Sequence, residues 1–162
     1  MIIRKEHSDD QAPIYALVRA AFGRELEARL VELLRSSGDS VISLVAIENG
    51  EIVGHVMLSR AQAELRALAL GPLAVHPACQ RRGIGSALVC EALEEASRGF
   101  WEIVFLLGNP NYYRRFGFDA ALASGFNSAY AGPHFMAYAI DKKLRITQGA
   151  VAFPRAFAEL GA

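Results

Sequence analysis

The chain has 162 residues, 52% of them hydrophobic, and its 17 basic side chains balance 17 acidic ones. This length fits one domain with a sizeable core, so we predict a single domain over residues 1–162. The charge balance gives no support for a nucleic-acid-binding surface, and no apolar run approaches the roughly 18 residues that a membrane span needs.

The cysteines and the first residues indicate the compartment. Cys79 and Cys90 have no metal-ligand spacing around them, so we predict two reduced thiols and no metal site. The start, MIIRKEHSDDQ, turns charged at once and lacks the apolar stretch of a signal peptide. We therefore expect a cytoplasmic protein that does not associate with membranes.

The first half of the chain predicts a strand, two helices and a hairpin. A short strand is expected at residues 2–4. Ser8 then begins SDDQ, the pattern of a capping box with Gln11 as its third helical residue, and the helix that follows ends at Gly23. A second helix carries leucines at helical spacing from Leu26 to the SSG that follows it. Asn49-Gly50 predicts the turn of a β-hairpin.

The second half alternates strands and helices around a glycine-containing turn. LRALALGPLAV predicts a strand with a bulge or splay at Pro72, which has no N–H for a ladder. A helix is expected from Gly83 to Gly99, and WEIVFLLG reads as a strand buried on both faces. NPNYYRRFGF predicts a loop, a short helix and a glycine turn; HFMAYAID predicts a strand, and FPRAFAEL a terminal segment. This order predicts a mixed α/β domain with one central sheet.

The turn QRRGIGS, residues 80–86, has the features of an anion site. Gly83 and Gly85 have no Cβ, so a ligand can approach their backbone closely. The helix that starts here leaves its first N–H groups without intrahelical partners, at the positive end of its dipole. Arg81 and Arg82 add positive charge. A pyrophosphate is therefore the expected ligand.

Two common pyrophosphate motifs do not match this turn. A P-loop needs four residues between its glycines and a following Lys-Ser or Lys-Thr, which the chain lacks here. A dinucleotide-binding fingerprint needs a third glycine where this sequence has Leu88. Both motifs are excluded by these residues.

QRRGIG does match the pattern Gln/Arg-x-x-Gly-x-Gly/Ala directly after a strand, and here the sequence resembles the GNAT superfamily of acetyl-CoA-dependent N-acetyltransferases. PLAVHP precedes the turn where the family has the strand that meets pantetheine, and YYRRFGF follows with a Tyr four residues before a Gly-Phe turn. Within the superfamily, these segments and the ending VAFPRAF look most like the YhbS-like group. The resemblance implies the GNAT fold, a mixed and mostly antiparallel central sheet flanked by helices, with splayed fourth and fifth strands.

The resemblance also implies which residues bind acetyl-CoA, the donor substrate. The pyrophosphate would be wrapped by Gln80, Arg81, Arg82, Gly83, Ile84, Gly85 and Ser86. The pantetheine amides would meet backbone groups of Leu73, Ala74 and Val75. Asn109 is either a cofactor contact or an ordinary turn residue before Pro110. The side chains of Arg81 and Arg82 either contact phosphate or lie in solvent. Arg114 and Arg115 either reach the 3′-phosphate of coenzyme A or lie in solvent, and solvent is favoured.

For catalysis, the resemblance implies that Tyr113 donates a proton to the departing sulfur as general acid. Tyr112 is the alternative acid, although it is expected in the core. The backbone N–H of Val75 is the expected oxyanion donor. No carboxylate occupies the fourth strand, so the general base stays unassigned among His76, Glu25, His55 and water.

The predicted function is transfer of acetyl from acetyl-CoA to an amine of a small molecule, peptide or protein. One alternative is a non-catalytic acyl-CoA-binding or regulatory module on the same fold. Acetylation of charged tRNA is a further alternative, which the balanced charge disfavours. Homodimers are common in the family, so a homodimer is a candidate assembly.

Overall fold

A computed structural model describes residues 1–159. The last residue of the predicted terminal segment, Leu160, and the end of the predicted domain lie outside the described residues. The strands are β1 Ile2–Lys5, β2 Ser40–Glu48, β3 Glu51–Ala61, β4 Ala67–Val75, β5 Ile103–Leu107, β6 Phe126–Asn127, β7 Phe135–Ala139 and β8 Gly149–Ala150. The helices are α1 Gln11–Phe22, α2 Leu26–Ser36, α3 Ile84–Arg98, α4 Pro110–Tyr113, α5 Ala120–Ser124 and α6 Arg155–Glu159.

The central sheet has six strands in the order β1-β2-β3-β4-β5-β7. Neighbouring strands run antiparallel except for the parallel pair β4 and β5. The predicted fold class, a mixed and mostly antiparallel sheet with flanking helices, is therefore confirmed. The Asn49-Gly50 hairpin between β2 and β3 is also confirmed, with positive φ at both residues (51° and 78°).

Helices cover both faces of this sheet because each has one apolar stripe. In α3 the residues spaced by four are almost fully buried, from Ile84 at 2% exposure to Leu88, Ala92 and Ala96 at 0%, and they pack on one face. Helices α1 and α2 pack on the other face, against β-strand residues that include Val45, Met57 and Ala74. The end of β4 is thus held between α3 and the α1–α2 pair.

The start of α1 differs from the predicted capping box. Residues Ser8–Asp10 form a 3₁₀ turn, and α1 begins at Gln11, so Ser8 is not the cap. The Asp10 carboxylate accepts the N–H of His7 at 2.6 Å and pairs with Arg4 at 2.7 Å. Its hydrogen bond with Arg4 lowers the pKa of Asp10 to about 2, against the opposing effect of burial. The N-cap position is His7 for the 3₁₀ turn and Asp10 for α1, so Ser8 is the N-cap of neither.

The predicted splay of the fourth and fifth strands is confirmed. β5 pairs with β4 only along Ala67–Ala69, opposite Ile103–Phe105. Beyond that point β4 has a bulge. Leu70 of β4 faces Leu58 of β3, whereas Leu73, three residues later, faces Val56, which is only two residues away on β3. Gly71 and Pro72 stand opposite the single residue Met57, so β4 has one extra residue there, and Pro72 cannot donate to a ladder. The last third of β4 therefore has β3 on one side and an opening on the other.

The stretch between Asp119 and Gly132, which carries no clear sequence pattern, contains the short helix α5 and the strand β6. β6 pairs in parallel with β8 through two residues each. Elements this short have no measurable period, which is why sequence patterning does not find them. Among residues 1–159, no helix is both long enough and apolar enough to span a membrane.

Candidate active site

At the opening between β4 and β5, some backbone N–H groups of β4 point away from the neighbouring strand β3. The N–H of His76 donates to the carbonyl of Val53 at 2.8 Å, which makes these two residues a hydrogen-bonded pair. In an antiparallel ladder the pairs alternate, so the backbone groups of Val75 and Leu73 point away from β3. The Val75 carbonyl accepts the Gln80 side-chain amide at 3.1 Å. The N–H of Val75 is thus left facing the opening.

The turn after β4 leads into α3 with a curved backbone. Arg81 and Gly83 both have positive φ, 64° and 84°. The first hydrogen bond of the helix runs from the N–H of Ala87 to the carbonyl of Gly83 at 3.0 Å. The three N–H groups before it, on Ile84, Gly85 and Ser86, therefore have no helical acceptor. Free N–H groups at a helix start have the geometry that an anion site requires.

The opening and the turn are parts of one groove. A cavity of about 560 Å³ joins them, and it is lined by Leu73, Val75, Cys79, Gln80, Arg81, Gly83, Ile84, Gly85, Ser86, Tyr112 and Arg115. Most of the predicted donor-binding residues are in this set. Apolar side chains from β4 form one part of the wall, and arginines and free amides form the other. The groove therefore suits a ligand with a long uncharged arm and a phosphate group.

Three predicted donor-binding residues lie outside the groove. Ala74 is paired with His55 in the ladder, and its side chain, 2% exposed, packs toward α1 and α2. Arg82 forms an ion pair with Glu48 of β2, at 2.9 Å. Asn109 caps α4, because its side-chain oxygen accepts the N–H of Asn111 at 2.9 Å. Each of these side chains has a local structural partner instead of a position on the groove.

Three residues outside the predicted donor-binding set also line the groove: Cys79, Tyr112 and Arg115. Tyr112, expected in the core, lines the groove, and so does Arg115, expected in solvent. The Arg115 Nε donates to the Tyr112 carbonyl at 2.9 Å, and its guanidinium lies 4.7 Å from the centre of the Tyr112 ring. The spacing could have indicated that Tyr112 and Arg115 lie together, because side chains three residues apart are on the same side of a helical turn.

Tyr113, the predicted acid, lies beside Tyr112 but is not among the residues that line the groove; its ring packs against the core instead. The two ring centres are 4.9 Å apart, and Tyr113 also packs edge-on against Phe118. At the end of β5, Gly108 leaves room for the Tyr113 ring, which a Cβ would meet at 2.5 Å. Burial, with a smaller contribution from the charge of Tyr112, raises the pKa of Tyr113 to about 12. Its phenol is therefore protonated at neutral pH.

None of the three candidate bases lines the groove described above. His76 is exposed, and its Nδ1 accepts the N–H of Ala78 at 3.1 Å, so it caps the turn after β4. Glu25 is exposed and accepts a hydrogen bond from the Tyr15 hydroxyl at 2.9 Å while it pairs with Arg29 at 3.2 Å. Neither side chain is held toward the opening of β4.

His55 is fully buried inside a polar network on the opposite face of the sheet. Its Nε2 lies 2.8 Å from the Ser43 hydroxyl, which donates to Glu6 at 2.7 Å, so His55 Nε2 carries the proton. Arg35 holds Glu6 with two hydrogen bonds of 2.8 and 2.9 Å. Burial lowers the pKa of His55 to about 4, against the opposing effect of Glu6. Within residues 1–159 its Nδ1 has no hydrogen-bond partner.

Metal ligation has no support in the part of the chain that the structure describes. Residues 1–159 contain no group of three or more His, Cys, Asp or Glu side chains that could hold a metal ion. Cys79 and Cys90 are both free thiols.

A mixed sheet that opens between a bulged strand and its parallel neighbour, with a helix start at the open end, defines an acyltransferase of the GNAT type. The profile of the family described as acetyltransferase (GNAT) domain matches residues 39–120. YhbS of Escherichia coli (strain K12), an uncharacterized N-acetyltransferase, is 35% identical over 125 residues, which are 75% of this chain and 75% of YhbS. The chain therefore belongs to the GNAT family of acetyltransferases.

Two similar solved structures contain a coenzyme A ligand. The structure of YhbS from Escherichia coli in complex with CoA is 30% identical, with a TM-score of 0.91 over 97% of this chain and 91% of that one. A GNAT acetyltransferase from Brucella melitensis in complex with acetyl-CoA is 35% identical, with a TM-score of 0.83 over 96% of this chain and 97% of that one. Both similarities extend over nearly the whole chain.

Proposed function

We propose that this chain, as a single N-acetyltransferase domain over residues 1–162, transfers the acetyl group of acetyl-CoA to a primary amine. The observation that carries the proposal is the continuous groove from the unpaired end of β4 to the helix start of α3. Its apolar wall from β4 suits the uncharged arm of the donor, and its arginines and free amides suit the phosphates. The acceptor is an amine of a small molecule, a peptide or a protein.

The donor would bind chiefly through backbone groups. The backbone groups of Leu73 that point away from β3 can pair with a pantetheine amide as an added strand would, and the Val75 N–H lies next along the same edge. The N–H groups of Ile84, Gly85 and Ser86 would hold the pyrophosphate, with Arg81 beside them. Because Ala74, Arg82 and Asn109 have partners elsewhere, we leave them out of the donor site.

The reaction makes one bond and breaks one. The amine nitrogen attacks the thioester carbonyl carbon, and the carbonyl oxygen becomes an oxyanion. The carbon–sulfur bond then breaks as the carbonyl re-forms, the nitrogen loses a proton, and the sulfur gains one. The products are an N-acetylated amine and free coenzyme A thiol.

Two residues would assist this transfer. The Val75 N–H faces the opening, where it can donate to the oxyanion. Tyr113 would protonate the departing sulfur; burial raises the pKa of this phenol to about 12, so its proton is retained throughout the neutral range. No side chain is assigned as base, since His76 and Glu25 are engaged elsewhere and His55 is sealed inside the fold.

We further propose a cytoplasmic location, which the free thiols of Cys79 and Cys90 fit. A homodimer is the proposed assembly, from the family resemblance alone. Light scattering of the purified protein tests it, and a monomer at micromolar concentration would contradict it.

The function is tested by donor binding followed by turnover. Acetyl-CoA at 100 times its Kd should stabilise the fold by roughly 2.7 kcal/mol, whereas acetate plus adenosine should not. A panel of amines is then screened for release of coenzyme A thiol. Absence of any thermal shift with acetyl-CoA would contradict the proposal. Tight binding with no amine-dependent thiol release across the panel would favour the non-catalytic binding module.

A further inference from the structure

The groove has a second wall opposite the glycine turn, formed by Tyr112 and Arg115. Tyr112 reaches across to α3, so that a Cβ on Gly85 would lie 2.8 Å from the Tyr112 hydroxyl oxygen. Arg115 follows one turn later and lines the same cavity as Gly83, Gly85 and Ser86. The groove is therefore enclosed at this level between α3 and the segment that follows α4.

Arg115 is held in place by the residue next to it in the wall. Its Nε donates to the Tyr112 carbonyl, and its guanidinium stacks over the Tyr112 ring at 4.7 Å from the centre. These two contacts restrain a side chain that is otherwise flexible, so a ligand does not have to order it fully. The contacts use the Nε donor and leave the two terminal nitrogens available.

The terminal nitrogens also lack a competing carboxylate. Among residues 1–159 the guanidinium of Arg115 forms no ion pair, whereas Arg82 on the other side of the turn is paired with Glu48 at 2.9 Å. Arg81, which lines the groove, and Arg115 therefore give this end of the cavity a net positive charge. The helix start alone supplies neutral N–H donors, and a pyrophosphate carries negative charge on both of its phosphates.

We propose that Arg115, restrained by Tyr112, binds the pyrophosphate of the donor from the side opposite to the α3 N–H groups. The inference rests on the proposed function, since it assumes that coenzyme A occupies the groove. A planar guanidinium with two free terminal nitrogens can make paired hydrogen bonds to phosphate oxygens. The pyrophosphate is then held between backbone donors on one side and a fixed cation on the other.

The chain supplies its own control in the neighbouring arginine. Arg114 is exposed like Arg115 and has the same charge, but it lines a different cavity with Pro110, Gly117 and Asp119. If only the overall charge of the protein matters, loss of either arginine will change the Kd of coenzyme A equally. If Arg115 contacts the phosphate directly, only loss of Arg115 will change it. Arg115→Gln and Arg114→Gln therefore form a matched pair.

The experiment measures the Kd of coenzyme A by calorimetry for the parent protein, Arg115→Gln, Arg115→Lys and Arg114→Gln. Loss of a hydrogen-bonded charge contact should raise Kd roughly 10- to 100-fold in Arg115→Gln. We expect a smaller rise in Arg115→Lys, which keeps the charge without the fork, and less than about a 2-fold rise in Arg114→Gln. Equal effects in the two glutamine variants, or none in Arg115→Gln, would overturn the proposal.

A second ligand identifies the phosphate involved. Dephospho-coenzyme A keeps the pyrophosphate and lacks the 3′-phosphate, so the loss in Arg115→Gln should persist with this ligand. If the loss disappears, Arg115 contacts the 3′-phosphate and the pyrophosphate assignment is wrong. Failure of the parent protein to bind coenzyme A at all would instead contradict the proposed function. Unfolding curves of the variants should superimpose, because Arg115 is exposed.

Discussion

The two ends of β4 have different partners although they belong to one continuous strand. At the first end, Ala67–Ala69 pair with β3 on one side and β5 on the other, and these residues are at most 1% exposed. At the second end, Leu73 and Val75 pair with β3 alone and line the groove. The fold thus obtains a binding surface by leaving one edge of β4 without a partner strand at its second end.

The bulge at Gly71-Pro72 separates the two ends. A strand that kept its register with β5 would use the N–H groups of its second half in the sheet, and none would remain for a ligand. Pro72 is buried in the middle of the sheet, where its missing N–H cannot contribute to a ladder. Residues at the first end should therefore affect stability, and those around the second end should affect binding or rate.

The largest expected effect is on the rate. Tyr113→Phe removes the proposed acid while it keeps the ring that packs on Phe118, so kcat should fall roughly 10²- to 10⁴-fold with little change in the Kd of coenzyme A. Steady-state thiol release measures it. Tyr112→Phe is the matched control and should keep most of kcat. If Tyr112→Phe loses the activity and Tyr113→Phe keeps it, the acid is Tyr112.

The next prediction compares the same substitution, leucine to alanine, at the two ends of β4. Leu68→Ala removes a fully buried side chain at the paired end and should lower the free energy of unfolding by roughly 2–5 kcal/mol, with the Kd of coenzyme A unchanged in the folded protein. Leu73→Ala, at the open end, should cost less stability and raise Kd only a few-fold, because the donor meets the backbone there. Urea unfolding and calorimetry measure the two quantities. Equal stability losses would contradict the distinction.

A pH-dependent effect is expected behind the open end, where His55 pairs in register with Ala74. Burial lowers the pKa of His55 to about 4 from its usual 6.5, so the unfolded chain takes up this proton at a higher pH than the folded one. Stability is therefore complete above pH 6.5 and is lost as the pH falls toward 4, by about 3 kcal/mol in all.

Urea unfolding between pH 7 and pH 5 measures this loss, in the range before the carboxylates titrate. His55→Gln should flatten the dependence, whereas His134→Gln, which changes an exposed imidazole, should keep it. The nearest charged groups, Glu6 and Arg35, are present in both variants. A slope in His55→Gln equal to that of the parent protein would show that His55 does not carry the effect.

The smallest effect concerns the shape of the turn. Gly83 has a φ of 84°, a left-handed conformation that costs a β-branched residue about 1–2 kcal/mol. Gly83→Val should displace the turn and raise the Kd of coenzyme A by at least roughly 5- to 30-fold. Gly38→Val introduces the same strain at a φ of 80° after α2, away from the groove, and should lower stability alone. Similar Kd values in the two variants would exclude the turn from the site.

Features with a local physical cause could be predicted from the sequence. The hairpin follows from Asn49-Gly50, the helix α3 from its apolar residues spaced by four, and the bulge from Pro72. The glycine turn also follows, because the residues that form the anion site are adjacent in the chain. The groove is predictable to the extent that it consists of these segments.

The orientation of individual side chains could not be predicted. Arg82 leaves the turn because Glu48 lies within reach across the fold, and no local pattern links these two residues. Tyr112 and Tyr113 are adjacent in a single helical turn, so a small rotation of α4 decides which of them lines the groove. The position of the Arg115 side chain depends on that of Tyr112, because the two are in contact. Such choices depend on tertiary contacts, which sequence patterns do not encode.

The most direct test of the account is to observe which backbone amides of β4 and α3 sense the donor. In a ¹⁵N–¹H correlation spectrum of the 162-residue chain, titration with coenzyme A should shift the N–H signals of Leu73, Val75 and residues 83–86. The N–H signals of Ala67–Ala69, at the paired end, should stay within the small changes seen elsewhere in the sheet. Saturable shifts confined to another cavity, with the amides of Val75 and the turn unchanged, would contradict the account.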